Sequence, residues 1–343
     1  MVLKVYSVHL QNQINLENRI MRIGQNPAKL LKEVAKPARI TVAVLNYIPF
    51  VSGFYAEMPA VLQVCLDSAR EGADLPFDLM VFDNGSCEEV RQNLLDMHQA
   101  GKIQYLILSE KNLGKGGAWN MILAGAPGEV LVYTDSDCLF YPGWLSSSLK
   151  LLETFPRVGM VTARPFRTNP EYYTQTVAWA ENNPEVQVER GALIPWETFK
   201  EFDLSLGQVE ADIRQHYDTT EDVRLNYHGV QAFTGSSHWQ FMAYKKTLAE
   251  FLPFEMDRPM GQVKQLDQRM NAAGYLRLMS VEPYAMNMSN TLTGMKFGEK
   301  AAGASEKDRA KAGSLKNVIL DFPPIKRTLL SFYNSVFRWY YDR

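Results

Sequence analysis

The 343 residues include 36 Lys and Arg against 38 Asp and Glu, a formal charge of −2, with 46% apolar and 22% charged side chains. That balance excludes a wholly disordered chain and an overall field that would recruit nucleic acid or anionic lipid, and it suits one large domain or two modest ones. Cys65, Cys87 and Cys138 form no CxxC pair and are odd in number, which argues against a disulfide scaffold or a structural zinc site and favours a reducing, cytoplasmic setting.

Residues 1–37 read as an N-terminal extension. Their start, MVLKVYSVHLQNQINLENRI, has no basic region followed by a sustained apolar run, so no secretory signal is expected. The most apolar stretch, Ile40 to Ala56, is broken by Asn46, Pro49, Ser52 and Gly53 and reads as strand plus loop, short of a membrane-spanning helix. From there, ITVAVLN (from Ile40), DLMVFDN (from Asp78), IQYLILS (from Ile103), EVLVYTD (from Glu129) and VGMVTA (from Val158) are near-continuous apolar runs of strand length, the mark of parallel strands covered on both faces. Met58 to Arg70, Glu88 to Ala100, Gly114 to Ala126 and Pro142 to Phe155 carry helical spacing between them, with Pro59 and Pro142 as first-turn residues. Strand and helix in repeated alternation predict an α/β fold: a doubly wound, mostly parallel sheet with helices on both faces.

Pro165 to Asp222, rich in Glu, Asn and Pro, reads as an irregular excursion around the sheet edge, and Thr220-Glu221-Asp222 within it as a solvated turn. Phe233 to Leu252 resumes apolar character, and Val263 to Ala273 reads as a helix closed by Gly274. Residues 295–317, charged and rich in Ala and Gly, read as a mobile loop or marginal helix, a lid if they border a site. The tail from Ile325 reads as an amphipathic helix carrying Lys326, Arg327 and Arg338.

Ligands of open α/β sheets bind beyond the carboxyl ends of the strands. Three such positions here are polar: Asp83-Asn84-Gly85-Ser86, Asn112 to Asn120, and Asp135-Ser136-Asp137. Two acids one residue apart at a strand end supply hard oxygens suited to Mg²⁺ or Mn²⁺ shared with a diphosphate, although a turn or helix cap has the same composition. Asn112-Leu113-Gly114-Lys115-Gly116-Gly117 offers backbone N–H groups and a cation at a helix start, suited to an anion, while matching neither a Walker loop nor GxGxxG. A tight glycine turn is the alternative. His238 suits a metal or a diphosphate, and Trp239 suits stacking on a sugar ring; a structural pair is the competing reading.

These motifs in this order resemble the family 2 glycosyltransferases of the GT-A fold, from about Ile40 to Ala163 and more faintly from Phe233 to Tyr275. The family pattern runs from a first strand ending at the nucleotide, here Val44 to Tyr47, through D-N/D-G-S and N-x-G-x-x-x-A-x-N to a D-x-D-type motif. The resemblance implies a nucleotide-sugar-binding half over 38–164, an acceptor-side half over 165–294 and a tail over 295–343. It implies a UDP- or GDP-linked sugar donor contacted by Asn46, Tyr47, Asp83, Asn84, Asn112, Lys115, Gly116, Asp135 and Ser136. It also implies Mn²⁺ or Mg²⁺ on Asp135 and Asp137, to which the imidazole of His238 adds a further candidate ligand, and transfer with inversion to a hydroxyl of a glycan, lipid-linked or small-molecule acceptor. Trp239 and His238 fall in the family's acceptor-facing segment.

Two departures from the family pattern stand out. Arg269 to Tyr275 keeps the family's R-x-x-x-A-G-Y helix end, but the segment before it, Gly261-Gln262-Val263-Lys264-Gln265, lacks the acids from which the family draws its general base. Asp267, Asp257 and Glu255 are the nearest carboxylates, and Asp267 is the favoured base. The first strand is followed by Asn46-Tyr47-Ile48-Pro49-Phe50 in place of Thr-Tyr-Asn. Rival readings are a sugar nucleotidyltransferase, which lacks support because no Gly- and Arg-rich loop follows the first strand, and a non-catalytic nucleotide-sugar or glycan binder. The C-terminal helix either rests peripherally on the inner membrane face beside a lipid-linked acceptor or packs on the core or a second subunit.

Overall fold

In the computed structural model, residues 25–256 and 263–293 are described. The expected loop at 295–317, the tail helix, Asp257 and Gly261-Gln262 lie outside them. Strands β1 (Ile40–Asn46), β2 (Asp78–Asp83), β3 (Tyr105–Leu108) and β4 (Val130–Asp135) alternate with helices α1 (Met58–Glu71), α2 (Glu88–Gln99) and α3 (Gly114–Gly125). The strands lie parallel in the order β3-β2-β1-β4. Register sets their carboxyl ends level: Asn46 pairs with Asp83, Leu45 with Asp135, and Asp83 with Leu108. Near-continuous apolar sequence fits β1, β2 and β4, which are buried almost throughout; β3 is the outer edge and remains partly exposed.

The chain continues through β5 (Cys138–Phe140), α4 (Trp144–Thr154), β6 (Val158–Thr162), α5 (Thr174–Glu181), β7 (Val186–Gly191), α6 (Trp196–Ser205), α7 (Glu210–Thr219), β8 (Asp222–Tyr227), β9 (Val230–Thr234), β10 (Gln240–Tyr244), α8 (Lys245–Ala249), α9 (Val263–Ala272), β11 (Leu276–Met279) and β12 (Ala285–Asn287). One ten-stranded sheet results, ordered β3-β2-β1-β4-β10-β6-β11-β9-β8-β7, while β12 and β5 pair separately. Strand β10 is wedged antiparallel between β4 and β6, β11 runs with β6, and β9, β8 and β7 complete an antiparallel meander. The sheet is therefore mixed, with most strands sharing one direction.

Three expectations are corrected here. Pro142 lies outside α4, which begins at Trp144 behind Gly143 in a left-handed conformation (φ +83°), the kind of start glycine permits. The excursion at 165–222 contains three helices and adds the edge strand β7. Asp222 is no solvated turn residue: it is buried, both its oxygens accept from Arg167, and its Oδ2 also accepts from the backbone N–H of Leu193 and Ile194. Four donors around one carboxylate anchor the excursion to β8.

The three cysteines are free thiols. Among the described residues no helix is long and apolar enough to cross a membrane. The core that supports the acid-bearing strand is aromatic. Trp119 of α3 meets Tyr133, Phe241 and Phe254 edge-on, with centroids at 5.2, 5.8 and 5.4 Å, and Leu266 and Met270 of α9 join the same cluster. Trp119→Ala would empty the centre of this cluster and should lower stability by about 3–5 kcal/mol. The expected readout is a lower urea midpoint with an unchanged slope, and a midpoint close to that of the unaltered chain would contradict this placement of the core.

Candidate functional site

The loops that follow β1, β2, β3 and β4 meet at one rim and are tied by side chains. Asn46, the last residue of β1, donates from Nδ2 to Asp83 Oδ1 at 2.9 Å and to Ser86 Oγ at 3.1 Å. Asp83 Oδ2 accepts from the Ser86 N–H at 3.0 Å, and Ser86 Oγ accepts from the Ile48 N–H at 2.9 Å. Asp83 and Asn46 are fully buried. The Asp83 carboxyl therefore holds the loops from behind, with both oxygens already used, and does not face outward as a free acceptor for a base. Tyr47 lies half-buried beside Tyr55.

Asn84 carries the connection onward. Its Oδ1 accepts from the Leu113 N–H at 2.9 Å, and its Nδ2 donates to Asn112 Oδ1 at 3.0 Å. Asn112 Oδ1 in turn accepts from the Gly114 N–H at 2.8 Å. The two loops come so close that a Cβ on Gly85 would lie 3.1 Å from the Asn112 nitrogen, and Gly85 has φ +91°; only glycine meets both demands. Gly116 is buried in the first turn of α3.

Lys115 turns inward. Its Nζ donates to Asp135 Oδ2 at 2.8 Å, and its side chain is 6% exposed while that of Asp135 is 29% exposed. The ammonium stands 5.4 Å from the Tyr133 ring centroid and 5.7 Å from that of Trp119. The Tyr133 hydroxyl donates to Asp135 Oδ1. Both oxygens of Asp135 are thus engaged, and a cation already compensates its charge.

Asp137 differs. Its Oδ1 is buried without a hydrogen-bond partner. Burial first, and then the negative Asp135 beside it, raise its pKa to about 7, against a smaller opposing pull from Lys115 and hydrogen bonding from Asn287. The short β5–β12 sheet brings Asn287 there, and the Met288 N–H donates to the Asp137 carbonyl at 2.7 Å. A buried, unpartnered hard oxygen beside a second carboxylate fits Mn²⁺ or Mg²⁺, which take one or two carboxylates together with phosphate oxygens. Ser136 between the two acids is buried.

The third expected ligand stands elsewhere. Among the described residues no three His, Cys, Asp or Glu side chains converge on a possible metal position, so His238 does not join the two acids. Its Nδ1 lies 3.4 Å from Asp267 Oδ2. Asp267 is neither a surface helix acid nor an accessible base: it is 2% exposed, and its Oδ1 accepts from Arg277 Nη2 at 2.5 Å. Trp239 is buried against Phe202 and Phe166, with centroids at 5.5 and 6.4 Å, so it presents no open platform for a sugar. Sequence reasoning missed Tyr133, Arg277 and Asn287. Tyr133 stands two residues before Asp135 on the same strand face, and Arg277 interrupts the apolar run of β11; both were readable signals.

Residues 51–207 match the family model described as glycosyl transferase family 2. An uncharacterized glycosyltransferase of Nostoc sp. is 26% identical over 123 residues, which are 36% of this chain and 35% of the relative, so the match spans about a third of that relative's length. Among solved structures, the mannosyltransferase PcManGT of Pyrobaculum calidifontis in complex with GDP-Man and Mn²⁺ is similar at 16% identity and a TM-score of 0.46, over 84% of this chain and 65% of that one. TarS 1–349 of S. aureus is similar at 12% identity and a TM-score of 0.42, over 73% and 60% of the two chains. GalNAc-T7 with UDP, GalNAc and Mn²⁺ is similar at 10% identity and a TM-score of 0.47, over 73% and 44%. The residues 51–207 that match this family model include Asp83, Asn112, Lys115, Asp135 and Asp137.

Proposed function

We propose that the chain transfers a sugar, with inversion, from a UDP- or GDP-type nucleoside-diphosphate donor to a hydroxyl acceptor, and that a divalent ion held at Asp137 takes part. Residues 38–164 supply the donor side and residues 165–294 the acceptor side. The observation that carries the reading is the asymmetry of the acid pair within a family 2 domain: Asp135 is saturated by Lys115 and Tyr133, while Asp137 keeps a buried oxygen without a partner at the same rim.

The chain's own groups divide the work. Asn84, Asn112 and Gly85 fix the distance between two loops, so that the start of α3 keeps its N–H groups near the rim where a diphosphate is favoured. Lys115 offsets the charge of Asp135, so the two carboxylates coexist without forcing the loop apart. Asp137 offers its carboxylate to the ion. When bound, Mn²⁺ or Mg²⁺ supplies charge neutralisation for the departing diphosphate, typically worth several kcal/mol.

Two outcomes test this. Asp137→Asn keeps size and removes the charge; it should abolish Mn²⁺-stimulated release of UDP or GDP from a panel of UDP- and GDP-sugars and remove the Mn²⁺-dependent part of nucleoside-diphosphate binding. Release that persists in Asp137→Asn at the rate of the unaltered chain would leave the proposal without its metal ligand.

The second outcome is a pH dependence with a defined sign. In the fold Asp137 holds its proton up to about 7, against an ordinary value of 3.8, so the folded state binds more protons than the unfolded one between those values. Its contribution to stability without added metal is fully present below 3.8 and is lost as pH rises through about 7. A metal ion must displace that proton, so the rise in melting temperature caused by Mn²⁺ should be larger on the alkaline side of about 7 than on the acid side. A Mn²⁺-induced rise that is flat across this range, or that survives in Asp137→Asn, contradicts the assignment.

A further inference from the structure

The sequence has no acid where the family's general base is expected, and Asp267, the nearest substitute on α9, is sealed inside and bonded to Arg277. The residue that Asp267 touches on its other side is the better candidate. His238 has a side chain 29% exposed, against 3% for that of Asp267. Its Nδ1 faces Asp267 Oδ2, while its Nε2 makes no hydrogen bond among the described residues. A carboxylate only accepts, so Nδ1 carries the proton of the neutral ring and Nε2 keeps a free lone pair.

Position agrees with this chemistry. Strand β10 runs antiparallel to β4 with Gln240 opposite Thr134, and just beyond it the Asp135 N–H donates to the Trp239 carbonyl at 2.8 Å. His238 is the next residue, so its backbone enters the rim alongside Asp135-Ser136-Asp137. Its orientation is secured from behind. Arg277 is fully buried and donates to Asp267 Oδ1, to Ser236 Oγ at 2.9 Å, to the Ser236 carbonyl at 2.9 Å and to the Tyr172 carbonyl at 2.9 Å. The guanidinium therefore fixes both Asp267 and the backbone two residues before His238.

We infer that His238 is the general base of the transfer and that Asp267 is its positioning residue. The inference rests on the proposed nucleotide-sugar transfer. In the step, the acceptor oxygen forms a bond to the anomeric carbon as its proton passes to His238 Nε2. The bond from the anomeric carbon to the phosphate oxygen breaks, and its electron pair leaves with the nucleoside diphosphate. Asp267 then faces the doubly protonated ring through Nδ1–H, and the proton afterwards returns to solvent from the exposed edge. Nothing is oxidised or reduced.

The experiment uses the full chain and water as the acceptor, following Mn²⁺-stimulated release of UDP or GDP from UDP-glucose, UDP-N-acetylglucosamine and GDP-mannose. His238→Ala should lower turnover by about 10²- to 10⁴-fold, the usual worth of general-base help, and leave Mn²⁺-dependent nucleoside-diphosphate binding unchanged. Added imidazole should restore part of the lost turnover. Asp267→Asn, which still offers Arg277 an oxygen, should lower kcat and leave the KM for donor unchanged, with the fold checked by its melting curve. Turnover of His238→Ala within tenfold of the unaltered chain, a loss matched by weaker nucleotide or Mn²⁺ binding, or no gain from imidazole would each overturn the assignment. Nucleotide release missing from the unaltered chain while it binds nucleoside diphosphate would instead defeat the transferase reading itself, and the base with it.

Discussion

Most buried polar groups at this rim are paired, and the pairing joins loops distant in sequence. Asn46 is bonded to the β2 loop, Asn84 to the β3 loop, and Lys115 reaches β4. Each bond alone contributes on the order of 1 kcal/mol, but leaving any one donor or acceptor unmade in a dry setting costs about 1–3 kcal/mol, so the set resists piecemeal loosening. Level strand ends bring the loops near one another, and these bonds decide how they sit.

The two acids after β4 illustrate how environment divides like residues. Both arise from one strand end, yet Asp135 is compensated by an ammonium and a phenol, whereas Asp137 is enclosed by β5 and β12 and has an oxygen to spare. The same division recurs across the rim, where Asp267 is spent on Arg277 and His238 keeps the open edge. In each case one carboxylate is engaged by a cation, Asp135 by Lys115 and Asp267 by Arg277, and its neighbour keeps an atom without a partner among the described residues.

Much of this was legible in the sequence. Near-continuous apolar runs identified β1, β2 and β4 because strands covered on both faces need no alternation, and polar residues just past their ends marked the rim. The antiparallel half was harder. Strand β7 alternates weakly, and the β8–β9 hairpin turns on His228-Gly229, both at positive φ, a two-residue signal hidden inside a polar stretch. The split between Asp135 and Asp137 was not legible, because it depends on Lys115 twenty residues earlier and Asn287 far downstream. The burial of Asp267 likewise depends on Arg277 reaching it from the neighbouring strand, which helical periodicity does not reveal.

Trp119 is at once the centre of the aromatic cluster under α3 and a ring near the Lys115 ammonium, while Tyr133 both packs against it and donates to Asp135. Scaffold and candidate site therefore share side chains. Engineering for heat resistance by enlarging or reshaping this cluster would displace the charge balance of the acid pair along with it, so robustness gained at these positions should come at the expense of the candidate site. Substitutions that harden the protein without that penalty are better sought around Arg167 and Asp222, on the far side of the sheet's midline.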